Sequence, residues 1–219
     1  MNKRSFIILY VVISCLLMAL VELVIEPVYL IKSLIKIVLF FGLPIILFKY
    51  FDIELFNNFK LNKKDIFKLF CCGLIIFVLA FIVYFSLNSS FDFKTMVQDM
   101  LIDQSITKNM FIYVALYISF GNSLLEEFFF RLISCIKLGE HTSKKFSYIF
   151  SALMFSLYHI GMIAISVPTI LVMFSVVCLF LLGLVLNYLN EKNKNIFNSW
   201  FVHMFCDFAV MTVGYINIM

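Results

Sequence analysis

Residues Phe67 to Leu87 read FKLFCCGLIIFVLAFIVYFSL, with one charge, Lys68, at the leading edge. An apolar run of about 18 or more residues is long enough to cross a bilayer core as a helix. Inside lipid the backbone N–H and C=O groups have no partners except one another, so a spanning segment of this kind must be helical. Outward from this run the chain repeats the pattern at residues 5–25, 28–50, 109–133, 146–166, 169–189 and 197–217. Composition agrees: of 219 residues, 63% are hydrophobic and 14% charged. Soluble domains stand nearer half and a quarter. Spans this dense leave no room for a separate soluble domain. The expectation is an all-α, polytopic transmembrane helix bundle, one domain over residues 1–219 with seven spans; an eighth would turn the C-terminal tail back.

The formal net charge of +4 is not a nucleic-acid signal, because what matters in such a chain is where the basic residues lie. With the N-terminus in the cytosol, that side collects Lys3, Arg4, Lys49, Lys60, Lys63, Lys64, Lys68, Arg131, Lys137, Lys144, Lys145, Lys192 and Lys194. The opposite side holds Lys32, Lys36, Lys94 and Lys108, with Asp92, Asp99 and Asp103. Seven spans then leave the C-terminus outside a multi-pass cell-membrane protein. The start, MNKRSFIILYVVISC, continues into LLMALVELVI without a polar break, so it reads as an uncleaved first span.

Between spans, the loop from Lys49 to Lys68 mixes lysines with Phe and Leu, as an interfacial segment or a solvated connector would. FKTMVQDMLI, from Phe93 to Ile102, suits a short amphipathic helix on the outer surface. Pro44 is placed to kink the second span, and Pro168 to make the turn between the fifth and sixth. Gly121 and Gly183 suit close helix approach. The six cysteines form no CxxC and suggest neither a disulfide framework nor a thiolate metal site.

Ionisable residues within spans are few, and each is a candidate functional group by default. The main set is Glu126, Glu127 and Arg131 on the fourth span, His159 on the fifth, and His203 and Asp207 on the seventh. Glu22, Glu26, Lys32 and Lys36 lie nearer span ends and are expected to snorkel or pair at the interface. Glu127 and Arg131 are four apart and share a helix face, whereas Glu126 is rotated by about 100° and points elsewhere. Nothing adjacent neutralises Glu126. FSLYH, from Phe155 to His159, and HMFCD, from His203 to Asp207, likewise put their end residues on one face. The economical arrangement aims all three polar stripes at one interior space. From span lengths, Glu126 and His203 should lie about 10 Å inside the cytosolic edge, reached from that side.

A carboxylate, two imidazoles and no marked Ser, Cys or Lys nucleophile suit activation of water. Glu126, helped by neutral His159, could take a proton from water and let the hydroxide attack an amide. His203, or Asp207 in its protonated form, could donate to the resulting oxyanion. The same residues have structural readings: Glu127–Arg131 as an ion pair, each histidine as a helix–helix hydrogen bond, Asp207 as a partner of His203. A divalent metal, if one is used, would fall to His159, His203, Glu126 and Asp207, although there is no HExxH and the histidines lie on different helices. The expectation is no cofactor, with water as the nucleophile.

EEFFFR, FSLYH and HMFCD, in that order on separate spans, resemble the CPBP family, the group of CAAX prenyl protease 2 and bacteriocin-processing proteins also called Abi. Its pattern is EExxxR, FxxxH and Hxxx(N/D), and the likeness covers approximately residues 109–217. The resemblance implies intramembrane peptide hydrolysis by a glutamate-activated water, with Glu126 as base and His159 helping to hold the water. It makes Glu127 and Arg131 the orienting pair and His203 with Asp207 the oxyanion side. Eukaryotic CAAX proteases of the group carry asparagine where this chain has Asp207. An ionised aspartate cannot donate a hydrogen bond, so Asp207 is either protonated or paired with His203, and pairing is the preferred reading. Members differ in substrate, so the resemblance implies a reaction on a hydrophobic or membrane-associated peptide or protein rather than a named target. The alternatives are a non-enzymatic bacteriocin-immunity or regulatory protein that binds a peptide or partner, and a small transporter. No inverted repeat supports the last.

Overall fold

The computed structural model describes residues 2–55, 65–191 and 194–218. These form eight helices in chain order: α1 (Lys3–Ile25), α2 (Tyr29–Tyr50), α3 (Ile66–Leu87), α4 (Phe93–Asp103), α5 (108–137), α6 (Lys144–Ile163), α7 (Thr169–Glu191) and α8 (Ile196–Ile218). The described residues contain no strand. Every expected span appears, the fourth as α5 and the fifth to seventh as α6 to α8. Six helices are long and apolar enough to cross a membrane; α5, whose apolar run is broken by Glu126, Glu127 and Arg131, is not among them. The protein is therefore a multi-pass helical membrane protein. Residues 56–64 of the interfacial loop expected between Lys49 and Lys68 lie outside the described residues.

Local chemistry sets the ends. Asn2 caps α1 by accepting from the Ser5 N–H at 2.8 Å, and Ser143 caps α6 by accepting from Phe146 N–H at 3.2 Å. Asp92 caps α4 in the same way from Thr95 N–H. That helix buries none of its residues, as a surface helix should. α1 stops at Glu26, which takes a left-handed conformation (φ 44°) while its N–H bonds Val21 O, and Pro27 forbids continuation. Pro168 opens the next turn as expected, its carbonyl accepting from Leu171 N–H and Val172 N–H at 2.9 and 3.1 Å.

Pro44 acts differently from a simple kink. The chain widens to a π-helical turn at Val38–Gly42 just before it, and Tyr10 reaches across from α1 to donate to Leu39 O at 2.6 Å. Proline has no N–H for the carbonyls one turn back, so a side chain supplies the missing donor. π-turns recur at Val21–Ile25, Tyr117–Asn122 and Glu127–Lys137. The last begins directly after Glu126 and the one before it ends four residues ahead of Glu126, a placement typical of functional segments.

The core lies among α1, α2, α5 and α6. Phe40 and Phe129 stack with ring centroids 3.9 Å apart, and Phe130, Phe155, Phe48 and Ile7 close around them with no exposed surface. Outward faces are apolar and exposed, for example Leu79, Phe85, Val177 and Leu181, as lipid contact requires. Helices meet closely where glycine allows it. A Cβ on Gly183 of α7 would lie 3.0 Å from the Ala152 Cα of α6, and one on Gly73 of α3 would lie 2.5 Å from the Phe205 ring of α8. Gly121 does not share this role, because its nearest neighbour is the ring of Tyr117 one turn back on its own helix. Buried amides join helices too: Asn187 of α7 accepts from Ser151 Oγ at 3.2 Å and donates to Tyr148 O at 3.1 Å, both on α6.

The helices alternate in direction, so Lys3, Tyr50, Ile66, Lys137, Lys144, Glu191 and Ile196 gather at one end of the bundle. Lys3 donates to Asp52 O there at 2.7 Å, and Lys144 pairs with Glu191. At the other end Lys108 donates to Ile218 O at 2.9 Å, and Ser166 donates to Asp103 at 2.6 Å.

Candidate active site

Glu126 stands on α5 between two wide turns, with only 1% of its surface exposed. Its two oxygens meet different surroundings. Oε1 accepts from Lys36 Nζ at 2.6 Å and from Asn122 Nδ2, one turn back, at 2.9 Å. Oε2 faces His159 Nε2 at 3.7 Å and His203 Nε2 at 3.8 Å. These separations are longer than a direct hydrogen bond, and they suit a water that bridges the groups.

Backbone placement fixes His159. The first, longer stretch of α6, Lys144–Tyr158, ends just before this residue, whose Nδ1 lies 2.7 Å from Phe155 O, a carbonyl of that stretch's last turn. A carbonyl can only accept, so the proton is on Nδ1 and Nε2 presents a lone pair toward Glu126 in the neutral ring. The four-residue spacing of FxxxH therefore has a local cause: the imidazole closes the helix end onto the carbonyl one turn before. The Phe155 ring serves as a floor, edge-on to His159 and His203 and under the Arg131 guanidinium at 4.3 Å.

His203 is fixed from the other side. Its Nδ1 donates to Glu127 Oε1 at 2.8 Å, and Arg131 Nε lies 3.5 Å from that same oxygen. Glu127 and Arg131 have no exposed surface. Asp207 Oδ1 lies 3.7 Å from His203 Nε2, at ion-pair distance but beyond a hydrogen bond. Glu127, rather than Asp207, is the residue hydrogen-bonded to His203. The structure thus brings together all six residues singled out in the sequence, with Arg131 set behind Glu127.

Of the four residues expected to snorkel or pair at the interface, Glu22, Lys32 and Lys36 are buried. Lys36 was expected at the interface; it is 4% exposed, bonds both Glu126 and Asn122 Oδ1, the latter at 2.5 Å, and makes Glu126 one half of a buried ion pair. The signal was depth: α2 begins at Tyr29, so Lys36 lies about 10 Å in, too deep for its stem to reach water easily. Lys32 is also buried and pairs with Glu22 of α1 at 2.8 Å. Ser123, another neighbour of Glu126 in sequence, turns away: its hydroxyl donates to Ser119 O and accepts from Trp200 Nε1 at 3.1 Å. Depth of the site also changes. α5 runs on to Lys137, which puts Glu126 up to about 16 Å from that end, while His203 remains about 10 Å from the start of α8. Among the described residues no three His, Cys, Asp or Glu side chains group as a metal site.

A multi-pass helical bundle with a buried carboxylate, two imidazoles and a carboxylate–guanidinium pair fits a membrane-embedded hydrolase. The family described as Rce1-like, type II CAAX prenyl endopeptidase, matches residues 108–209. Over that stretch, a little under half of the chain, the sequence is similar to the CAAX protease, or CPBP, family. A search of curated proteins and one of solved structures find no match.

Proposed function

We propose that this protein is an intramembrane endopeptidase in which Glu126 activates water directly. The observation that carries the reading is the split of Glu126: Oε1 is held by Lys36 and Asn122, while Oε2 is turned to both imidazole Nε2 atoms. A water donating one hydrogen to Oε2 and the other to His159 Nε2 has its lone pairs free for a peptide carbonyl carbon. As the C–O bond forms, its proton passes to Glu126; when the C–N bond breaks, Glu126 returns that proton to the leaving nitrogen. The oxyanion needs a donor in the interval. His203, with Nδ1–H engaged by Glu127, donates from Nε2 in its imidazolium form, flanked by Glu127 and Asp207.

The proposed substrate is a hydrophobic or membrane-associated peptide or protein. An apolar recess of about 340 Å³ opens between α2, α5 and α8, lined by Phe41, Leu124, Leu125, Phe128, Ile196 and Phe197, on a face of α5 other than the one that carries Glu126. Among the described basic residues Lys3, Arg4, Lys49, Lys68, Lys137, Lys144 and Lys145 share one end of the bundle, and this bias supports a cytosolic placement of that end in a cell-membrane protein, with the substrate tail on that side.

Purified protein in detergent, offered a peptide library, tests the reading. Wild type is expected to cleave, and Glu126→Gln and His159→Ala to lose most of the rate when assayed below their melting points, Glu126→Gln melting lower because Lys36 loses its buried carboxylate partner. Equal cleavage by all three would overturn the roles of Glu126 and His159. A chelator is expected to leave the rate unchanged; a loss restored by a divalent metal would replace direct activation with metal-held water.

A further inference from the structure

Four helices build the site, and three of them carry their site residues within the stretch that matches the family. The fourth, α2, does not, and it brings the cation nearest to Glu126. Lys36 Nζ is held from three sides: by Glu126 Oε1, by Asn122 Oδ1, and by the ring of Tyr158 at 4.9 Å, with Phe40 farther off at 5.8 Å. Tyr158 immediately precedes His159, so the ammonium is braced by both helices that carry the water-handling groups. Arg131 cannot take this place, because its contact is with Glu127. The surroundings of Lys36 are those of a fixed point charge: two short hydrogen bonds, aromatic walls, and almost no exposed surface.

The geometry points to Lys36 as a positioning residue for the hydrolysis proposed above, on which this inference rests. Its ammonium, together with Asn122, clamps Oε1 and so leaves Oε2 as the oxygen that meets water and both imidazoles. A free carboxylate could turn about its last torsion and present either oxygen at any angle. A clamped one presents a single oxygen at a fixed angle, and near-attack geometry depends on such alignment. The N-terminal pair of helices thereby becomes part of the catalytic apparatus, beyond its service as packing for the matched half. A second buried lysine on the same face, Lys32, is engaged by Glu22 and does not compete for Glu126.

The test measures kcat, KM and detergent melting, on a peptide the wild type cleaves, for wild type, Lys36→Met, Glu126→Gln and the double variant Lys36→Met with Glu126→Gln. Lys36→Met is expected to lower kcat roughly tenfold to a hundredfold while KM stays within about twofold, a split that mere loosening of the fold would not give. The double variant should melt higher than Lys36→Met alone, because it no longer strands a buried carboxylate. If Lys36→Met does not fold, Asn122→Ala removes one arm of the clamp and keeps the ion pair; its kcat should fall roughly threefold to tenfold at near wild-type melting. Lys36→Met, or Asn122→Ala in its place, with wild-type kcat beside an inactive Glu126→Gln would overturn this inference and leave the proposed reaction standing. Wild-type cleavage by Glu126→Gln would overturn the reaction, and the role of Lys36 with it.

Discussion

Replacing Glu127 by glutamine separates shape from charge at one buried position. The side chain keeps its size, and its carbonyl oxygen can still accept from His203 Nδ1–H, now at 2.8 Å from Oε1. What disappears is the negative charge beside Arg131, whose Nε lies 3.5 Å away and whose three nitrogens have no hydrogen-bond partner among the described residues. Both residues are without exposed surface, so water cannot take over. Removing one member of a buried pair costs about 3–5 kcal/mol. The long contact and the remaining cation–π contact to Phe155 place this case at about 3 kcal/mol, the lower end. The same change withdraws a carboxylate from His203. If that ring is the oxyanion donor, kcat should fall by roughly 10²–10³, the usual worth of one such group. Melting in detergent can be followed by the fluorescence of Trp200, the one tryptophan, whose indole N–H bonds Phe120 O and Ser123 Oγ at 3.1 Å and so reports the joint between α5 and α8. Adding Arg131→Met to Glu127→Gln should recover part of the lost stability but none of the activity. Wild-type melting and kcat in Glu127→Gln would refute this account of how His203 and Arg131 are held.

Three further outcomes follow from particular contacts. Asp207→Asn should keep kcat within about tenfold of wild type, since the amide can donate where the flanking carboxylate stands now, whereas Asp207→Ala should lose more; kinetics on the same peptide decides. Gly73→Ala should lower stability by about 1–3 kcal/mol, because the new methyl would meet Phe205 Cγ at 2.7 Å and its Cβ at 3.2 Å; unchanged detergent melting would show that α3 and α8 can part at no cost. Cysteines introduced at Lys145 and at Ser90, in a background without the native ones, should react with a membrane-impermeant thiol reagent from opposite sides. Labelling of Lys145→Cys on intact cells would reverse the assigned orientation.

Spans were legible because lipid leaves the backbone one solution, and their ends were read to within a few residues. Glu126, His159 and His203 were legible as a converging set for the same reason: buried charge is too costly to be scattered. The i,i+4 pairings showed which residues share a face. Neither periodicity nor composition, however, could show what a face meets. Depth along α2 marks Lys36 as hard to hydrate, but only the approach of α2 to α5 makes it the partner of Glu126. His203 had a neighbour four residues on in Asp207, yet the packing of α8 against α5 hands its Nδ1 to Glu127. The π-turns around Glu126 leave no clear mark in the sequence either, since they depend on which carbonyls neighbouring helices satisfy.

By itself the sequence determined a membrane-spanning helical bundle and the roster of polar groups it must hide, because hydropathy and burial cost act on each segment separately. Which oxygen of Glu126 is held and which is turned to the imidazoles was decided by tertiary structure alone. That choice depends on hydrogen bonds a few ångströms long between helices whose relative rotation no single segment encodes.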